Sequence, residues 1–324
     1  MLNAALVGLG HWGRKIVAAV EGEDAAMRIS HVVVRAARAD IVEFARAHAM
    51  VVATDFQRML RDSAIDAVII TTPHSLHADL IVAAALAGKH VFSEKPLTLT
   101  RVDALRAVRA CADARRVLAV GHDKRFWGSM SALREIAAAG TLGDILHVEG
   151  HSSNENSNGF TAEWRRQPAE TPGAGMTGTG IHMLDALIGI AGPLAATTAQ
   201  VLTRLDSVEP RDTVAALLRF RNGISGTLAT VRTTPFYWRA HVFGDAGSAE
   251  ALGPATLILR TAGGALERRE FPIIDTIRAE MDAFAAAIDG TAPFPVSPAE
   301  MTATVTAFEG ILKSIQSGRT VTVE

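Results

Sequence analysis

A doubly wound α/β domain followed by an α+β domain built on an antiparallel sheet is the architecture that this chain of 324 residues predicts. Three observations carry the prediction. Through residue 122, short apolar runs alternate with amphipathic helical patterns, the signature of a parallel sheet covered on both faces. A glycine-rich turn leaves the first of those runs, at the edge where such sheets bind their ligands. After residue 122 the rhythm gives way to strand-like runs with few helices between them. The length exceeds what one hydrophobic core usually serves, so the change marks a domain boundary, 1–122 against 123–324.

The apolar runs of the first domain are AALVG (4–8), ISHVVV (29–34), MVVAT (50–54), DAVIITT (66–72), KHVFSE (89–94) and RVLAVG (116–121). Between them, GRKIVAAVEG, ADIVEFARAH, DFQRMLRDS, HADLIVAAALAG and TRVDALRAVRACADA repeat apolar residues at three and four, as a helix with one buried face requires. In the second domain one helix, 129–140, ends at Gly140 as a C-cap. Strands are predicted in DILHVEGHSS, AATTAQVLTRL, DTVAALLRFRNGISGTLATVR, YWRAHVFGDAGSAEAL and ATLILRTAG. Asn222-Gly223 and Asp245 to Gly247 supply hairpin reversals. Two helices close the chain, 275–290 and 297–318, the second opened by Ser297-Pro298 with Glu300.

Composition narrows the partners. Hydrophobic residues make up 48% of the chain, enough for a core in each domain. A net charge of −2 with both signs scattered gives no footprint for nucleic acid or an anionic membrane, so a small molecule is the expected partner. No leader or bilayer-length apolar segment is read, which places the protein among soluble cytoplasmic ones. The single cysteine, Cys111, has no internal disulfide partner and reads as a buried apolar residue. No metal site is read.

Gly8-Leu9-Gly10-His11-Trp12-Gly13 leaves the first strand and enters the first helix. In that context the first glycine permits a tight turn, the second lets backbone approach a pyrophosphate, and the third lets helix and strand pack closely. The helix N-terminus offers free N–H groups to phosphates. The second strand should end on the residue that meets the adenosine ribose, where a carboxylate selects NAD and an arginine accommodates the 2'-phosphate of NADP. Arg35 stands there with Arg38 close behind, which points to NADP, or else to a solvated loop. Lys95 follows the fifth run directly and should line the crevice at the carboxyl ends of the strands, where its ammonium can bind a substrate hydroxyl and help carry away the proton.

The set GLGHWG, TTPHSLHADLIVAAALAGKHVFSEKPL, GHDKRF and GIHMLD, in that order, resembles the Gfo/Idh/MocA family of NAD(P)-dependent oxidoreductases over nearly the whole chain. The resemblance implies a Rossmann domain followed by a domain with a large, open-faced, mostly antiparallel sheet, and a homodimer or homotetramer joined through that sheet. It implies cofactor contacts from Gly8, Gly10, His11, Trp12 and Gly13, from Thr72 and Pro73 beside the nicotinamide ribose, and from Glu94 and Lys95. Two further cofactor-binding candidates are His74, which stands where many members have Asn and so changes a cofactor-side contact, and His77, which matches a helix histidine whose alternative role is structural. Lys95 matches the catalytic lysine. Trp164 and Arg165 resemble a pair that approaches the nicotinamide in some members, or form a packed loop.

The stretch GAGMTGTGIHMLDAL supplies the remaining catalytic candidate. His182 matches the family's proton acceptor or donor, and an imidazole that ordinarily titrates near neutrality suits the task. The glycines before it allow sharp turns and close approach to a ligand. Asp185 matches a family position and is a substrate-binding candidate, while Gly178 stands where members typically carry Asp. His151 and Asn154, in the polar loop HSSNENSNG, either line the substrate cleft or are merely solvated. The activity implied is hydride transfer between NADP or NAD and a secondary alcohol or carbonyl of a sugar or cyclitol. A glycosidase working by oxidation, elimination and reduction, or a non-catalytic nucleotide sensor, are the alternatives.

Overall fold

The computed structural model describes residues 1–22, 24–154, 163–173, 175–202, 213–232 and 234–324. Residues 203–205 of the strand expected to end at Leu205, Asp212 at the start of the next, Ala174 and residues 155–159 of the polar loop lie outside the described residues. The chain forms two compact units, Met1–Asp123 with Asp275–Pro298, and Lys124–Ile274 with Ala299–Glu324.

In the first unit β1 (Leu2–Val7), β2 (Met27–Val33), β3 (Val51–Ala53), β4 (Ala67–Ile70), β5 (His90–Ser93) and β6 (Leu118–Val120) form one parallel sheet in the order β3-β2-β1-β4-β5-β6. The helices α1 (His11–Ala19), α2 (Ala39–Ala47), α3 (Phe56–Leu60), α4 (His77–Leu86) and α5 (Arg101–Asp113) alternate with the strands. All four residues of β4 are buried, as a strand covered on both faces demands, and this is why its sequence does not alternate. Side chains start two of the helices: Asp55 accepts from the Arg58 N–H ahead of α3, and Thr100 from the Asp103 N–H ahead of α5. The strand order reverses direction between β1 and β4, so the carboxyl ends of these two strands make the ligand crevice of a doubly wound sheet. Cys111 is buried in α5, and burial pushes its thiol up to about 12.

The second unit begins with α6 (Gly128–Ala138), β7 (Ile145–Ser153) and α7 (Ile181–Ala191), the last entered through a wide π-type turn at Met176–Gly180. It continues through β8 (Leu194–Leu202), β9 (Thr213–Phe220), β10 (Ser225–Val231), β11 (Tyr237–Gly244), β12 (Gly247–Leu252), β13 (Thr256–Thr261) and β14 (Glu267–Glu270). After α8 (Thr276–Asp289) come α9 (Pro298–Ser317) and β15 (Val321–Thr322). The sheet runs β14-β13-β12-β11-β7-β10-β9-β8-β15. Its pairs are antiparallel except one, β7 with β10, which the sequence alone did not separate from the rest.

One face of this sheet is packed. Along β9 Val214, Ala216, Leu218 and Phe220 are buried while Ala215, Leu217 and Arg219 are exposed. Trp238 of β11 donates to the Met130 sulfur of α6 at 3.4 Å, and the Ala199 N–H of β8 donates to Ser314 Oγ of α9 at 2.8 Å. A Cβ placed on Gly150 of β7 would lie 2.5 Å from Met183 of α7, so only glycine admits the helix this closely. The opposite face carries Leu217 and an ion-pair cluster in which Arg239 binds Glu149 at 2.8 Å and Glu250 at 3.1 Å. In that cluster burial pushes His241 down to about 4.

The helix α8 belongs to the first unit, which makes the second discontinuous rather than the unbroken 123–324 expected. The reason is packing. Phe284 meets Phe92 of β5 with ring centroids 5.9 Å apart, and Met281 and Ala285 join the same apolar cluster as Leu6, Val32 and Ile69. Among the described residues no helix is long and apolar enough to cross a membrane, and no three His, Cys, Asp or Glu side chains group to hold a metal.

Candidate active site

Gly8 takes φ +94°, a conformation that side-chain-bearing residues rarely adopt, and so turns the chain out of β1. A Cβ on Gly13 would lie 2.6 Å from the Gly8 carbonyl oxygen, so the first turn of α1 sits directly on the loop. Gly10, the N-cap of α1, differs: a Cβ there would meet nothing within 4 Å, so the protein's own packing does not demand glycine at this point. No side chain caps α1, and the N-terminus of a helix is a position that favours an anion. These features fit the pyrophosphate of a dinucleotide. His11 is exposed beside Trp12, their rings 6.0 Å apart, and Lys15 lies over the Trp12 ring at 4.7 Å.

The neighbouring strand ends complete this half. Thr71 donates to the Gly8 carbonyl oxygen at 2.8 Å, tying the end of β4 to the glycine loop, and Thr72-Pro73 follow at once. His77 is fully buried, its two ring nitrogens 2.9 Å from the Pro96 carbonyl oxygen and 3.1 Å from that of Thr72. It braces the turn after β4 against the turn after β5, and His74 packs edge-on against it at 5.7 Å. Beyond β5 the Lys95 N–H donates to Glu94 Oε2 at 3.2 Å. The Glu94 carboxylate lies 3.1 Å from where a Cβ of Gly121 would stand, at the end of β6. Lys95 itself is only 8% exposed. Arg35 is exposed just beyond β2, whereas Arg38 grips Asp40 through two contacts of 3.1 Å.

In the second unit His182, 9% exposed, stands in the first turn of α7, directly after the π-type turn. Such wide turns are rare and recur at functional positions. Asp185 lies one turn further on. Arg125 binds its carboxylate at 2.6 and 2.9 Å and its carbonyl oxygen at 3.0 Å, and Glu300 accepts from the same guanidinium at 2.9 Å. Both Arg125 and Asp185 side chains are 1% exposed. Burial alone would lower the Arg125 pKa, but the two carboxylates raise it further than burial lowers it. Asp185 is thus a buried ion-pair partner of Arg125.

His151 is also placed elsewhere. It lies on the open face of the sheet beside Tyr237, at 5.5 Å between rings, and shares a 2.8 Å hydrogen bond with Ser153 Oγ. The inward positions Gly150 and Ser152 face α7 instead, so His151 and His182 are on opposite sides of β7. Trp164 and Arg165 stack on each other, with the guanidinium 4.6 Å from the ring. A residue that sequence reasoning missed is Arg232, just beyond β10 and 8% exposed. Its guanidinium carbon lies 3.3 Å from the Cβ position of Gly178 and its stem 3.2 Å from that of Gly175, so the two glycines make room for it. Nothing in the local sequence of Arg232 marks it out.

Known proteins supply the wider setting. A family model described as an oxidoreductase family with an NAD-binding Rossmann fold matches residues 2–122, and the GFO/IDH/MocA C-terminal domain matches residues 130–250. An inositol 2-dehydrogenase of Saccharopolyspora erythraea is 28% identical over 100% of this chain and 96% of its own length. The scyllo-inositol 2-dehydrogenase (NADP(+)) of Bacillus subtilis is 30% identical over 49% of the chain, and an uncharacterized oxidoreductase of Schizosaccharomyces pombe 28% over 47%. The matched stretch spans 44% and 41% of those two proteins. Levoglucosan dehydrogenase in complex with NADH superposes with a TM-score of 0.88 over 100% of this chain and 99% of its own, at 23% identity, and so shares the fold. The glycine loop after β1, the Lys95 turn after β5 and the two family models in sequence lead to one assignment: the chain belongs to the GFO/IDH/MocA family of NAD-binding oxidoreductases.

Proposed function

We propose that the protein transfers hydride between a nicotinamide dinucleotide and a secondary alcohol or carbonyl carbon of a sugar, cyclitol or related polyhydroxylated molecule. The observation that carries this reading is Lys95, almost fully buried at the carboxyl end of β5, in the sheet whose first strand ends in the glycine loop. When bound, the nicotinamide supplies the hydride donor or acceptor. The Lys95 ammonium polarises the substrate oxygen and stabilises the charge that develops there. His182 takes or returns the hydroxyl proton. Relatives named as inositol dehydrogenases support the substrate class.

NADP is the preferred cofactor in this reading, because an exposed arginine and no carboxylate follows β2. Fluorescence titration should give an NADPH dissociation constant about tenfold or more below that of NADH, and Arg35→Ala should erase the difference, since a charge-assisted hydrogen bond to phosphate is lost. Tighter NADH binding would refute the preference. A screen of polyols and sugars with the preferred nucleotide tests the activity, and no nicotinamide turnover with any of them would refute the dehydrogenase.

The open face of the nine-stranded sheet is assigned to a second copy of the chain. Leu217 is 63% exposed there and Tyr237 48%, above a groove of about 710 Å³ lined by Glu149, His151, Gln200, Leu217 and Arg239. Sedimentation should give a dimer or tetramer that Leu217→Lys shifts toward monomer, and a wild-type monomer at micromolar concentration would contradict this.

A further inference from the structure

His77 is fully buried, and both of its ring nitrogens face carbonyl oxygens: Nδ1 lies 2.9 Å from that of Pro96 and Nε2 3.1 Å from that of Thr72. A carbonyl oxygen only accepts. A neutral imidazole has one N–H to donate and one lone pair, so it satisfies one of these oxygens while pressing its lone pair against the other. Turning the ring over does not relieve the conflict. It would set ring carbons where the nitrogens stand, closer to the oxygens than the roughly 3.3–3.6 Å at which C–H groups meet carbonyls.

Only a ring with hydrogen on both nitrogens donates to both oxygens. Such an imidazolium makes two charge-assisted bonds, each stronger than its neutral counterpart, and removes the clash of lone pairs. Burial and the N-terminus of α4, where His77 is the first residue, oppose the charge. The charged groups on the surrounding elements offset one another. The turn after β5 carries the Glu94 carboxylate and the Lys95 ammonium consecutively, while Asp79 of α4 and Asp103 of α5 are both taken up by Arg106, at 2.7 and 3.0 Å. His74, edge-on at 5.7 Å, is the ionisable group of the turn after β4. An imidazole ordinarily titrates near neutrality, so the two bonds need outweigh burial only slightly to hold the second proton there.

We propose that His77 is a positioning residue with hydrogen on both ring nitrogens, a buried imidazolium that clamps the turn after β4, Thr72-Pro73, to the turn after β5, which carries Lys95. It acts through those turns. Loss of either proton frees one carbonyl and with it one turn, so the spacing of Thr72 from Lys95 is set by a charge as well as by apolar packing. That the two turns flank a reacting nicotinamide rests on the dehydrogenase reading, whereas the clamp itself does not.

The test is nitrogen-15 NMR of the full chain, labelled at histidine and at carbonyl carbon, near neutral pH, with the His77 ring assigned through its backbone amide. Each ring nitrogen should be split by a directly bonded hydrogen, and each should show coupling across its hydrogen bond, Nδ1 to the Pro96 carbonyl carbon and Nε2 to that of Thr72. Splitting at one nitrogen alone would overturn the imidazolium, and absence of either coupling would overturn the clamp. Hydrogen exchange gives a second reading in His77→Asn, which replaces two opposed N–H groups by one short amide. The amides of Leu76 and Lys95, one in each turn, should exchange about tenfold or more faster, the loss of one charge-assisted bond, while those of β1 keep wild-type rates and show the fold intact. Unchanged exchange in both turns would also overturn the clamp. With any polyol that the wild type oxidises, the variant should lose about 100-fold in kcat, the effect of a misplacement of about 1 Å, with NADPH affinity little altered; an equal kcat would overturn the positioning role. Failure of the wild type to oxidise any polyol removes the dehydrogenase and leaves the spectrum and the exchange rates to decide the clamp.

Discussion

Lys95→Met lowers kcat by about a thousandfold, the middle of the range for general acid–base groups that also carry charge, while the affinity for NAD(P)H changes little. Methionine keeps the length and apolar stem of lysine and removes the ammonium. The backbone N–H that binds Glu94 is retained, as are the bonds that His77 makes to the turns on either side. The glycine loop stands on another strand, after β1, and its geometry depends on Gly8, Gly13 and Thr71. A loss in kcat with an unaltered dissociation constant, measured by stopped-flow turnover and fluorescence titration, identifies Lys95 with the chemical step. Undiminished turnover would remove Lys95 from the mechanism, and an equal loss in both quantities would make it a cofactor ligand.

The second large effect concerns stability. Arg125→Met should destabilise the second unit by about 3–5 kcal/mol, the usual cost of breaking a buried ion pair from one side. Both partners are 1% exposed, so Asp185 would be left as a buried carboxylate without the guanidinium that binds two of its oxygens and its carbonyl. The packing is tight as well: a Cβ on Gly189 would lie 2.3 Å from an Arg125 nitrogen. The pair Arg125→Met with Asp185→Leu should recover most of the loss, because well-packed apolar residues replace buried ion pairs at little cost. Urea unfolding followed by the fluorescence of Trp127 and Trp238, both in this unit, reads the change. A single-variant loss below about 1 kcal/mol, typical of exposed pairs, would mean that water reaches the site.

Much of this molecule was legible because its information is local. Non-alternating apolar runs located all six strands of the first sheet, and the glycine loop and Lys95 were read from the strands they follow. What escaped was non-local or lacked a side-chain signal. Glu267–Glu270, β14, is the charged sequence ERRE, held by backbone pairing at the sheet edge, where charges discourage further pairing. The period of α8 announced a helix but not that Phe284 seeks Phe92, far back in the chain. The ion pair of Asp185 left no sign because its partner Arg125 is 60 residues away. His151 shows a subtler limit: alternation along β7 puts it opposite Val148 and Gly150, yet no pattern says which face holds the chemistry. Arg232 became visible only through the glycines it displaces.

The return of α8 to the first unit has a bearing on biosynthesis. Met281, Phe284 and Ala285 are the last pieces of a cluster that begins at Ala4. A ribosome releasing the chain from its N-terminus delivers all six parallel strands long before it delivers the residues that seal them. Throughout that interval the aromatic ring of Phe92 lacks the Phe284 ring that meets it in the folded protein, so the core of the first unit closes only after residue 285 has emerged.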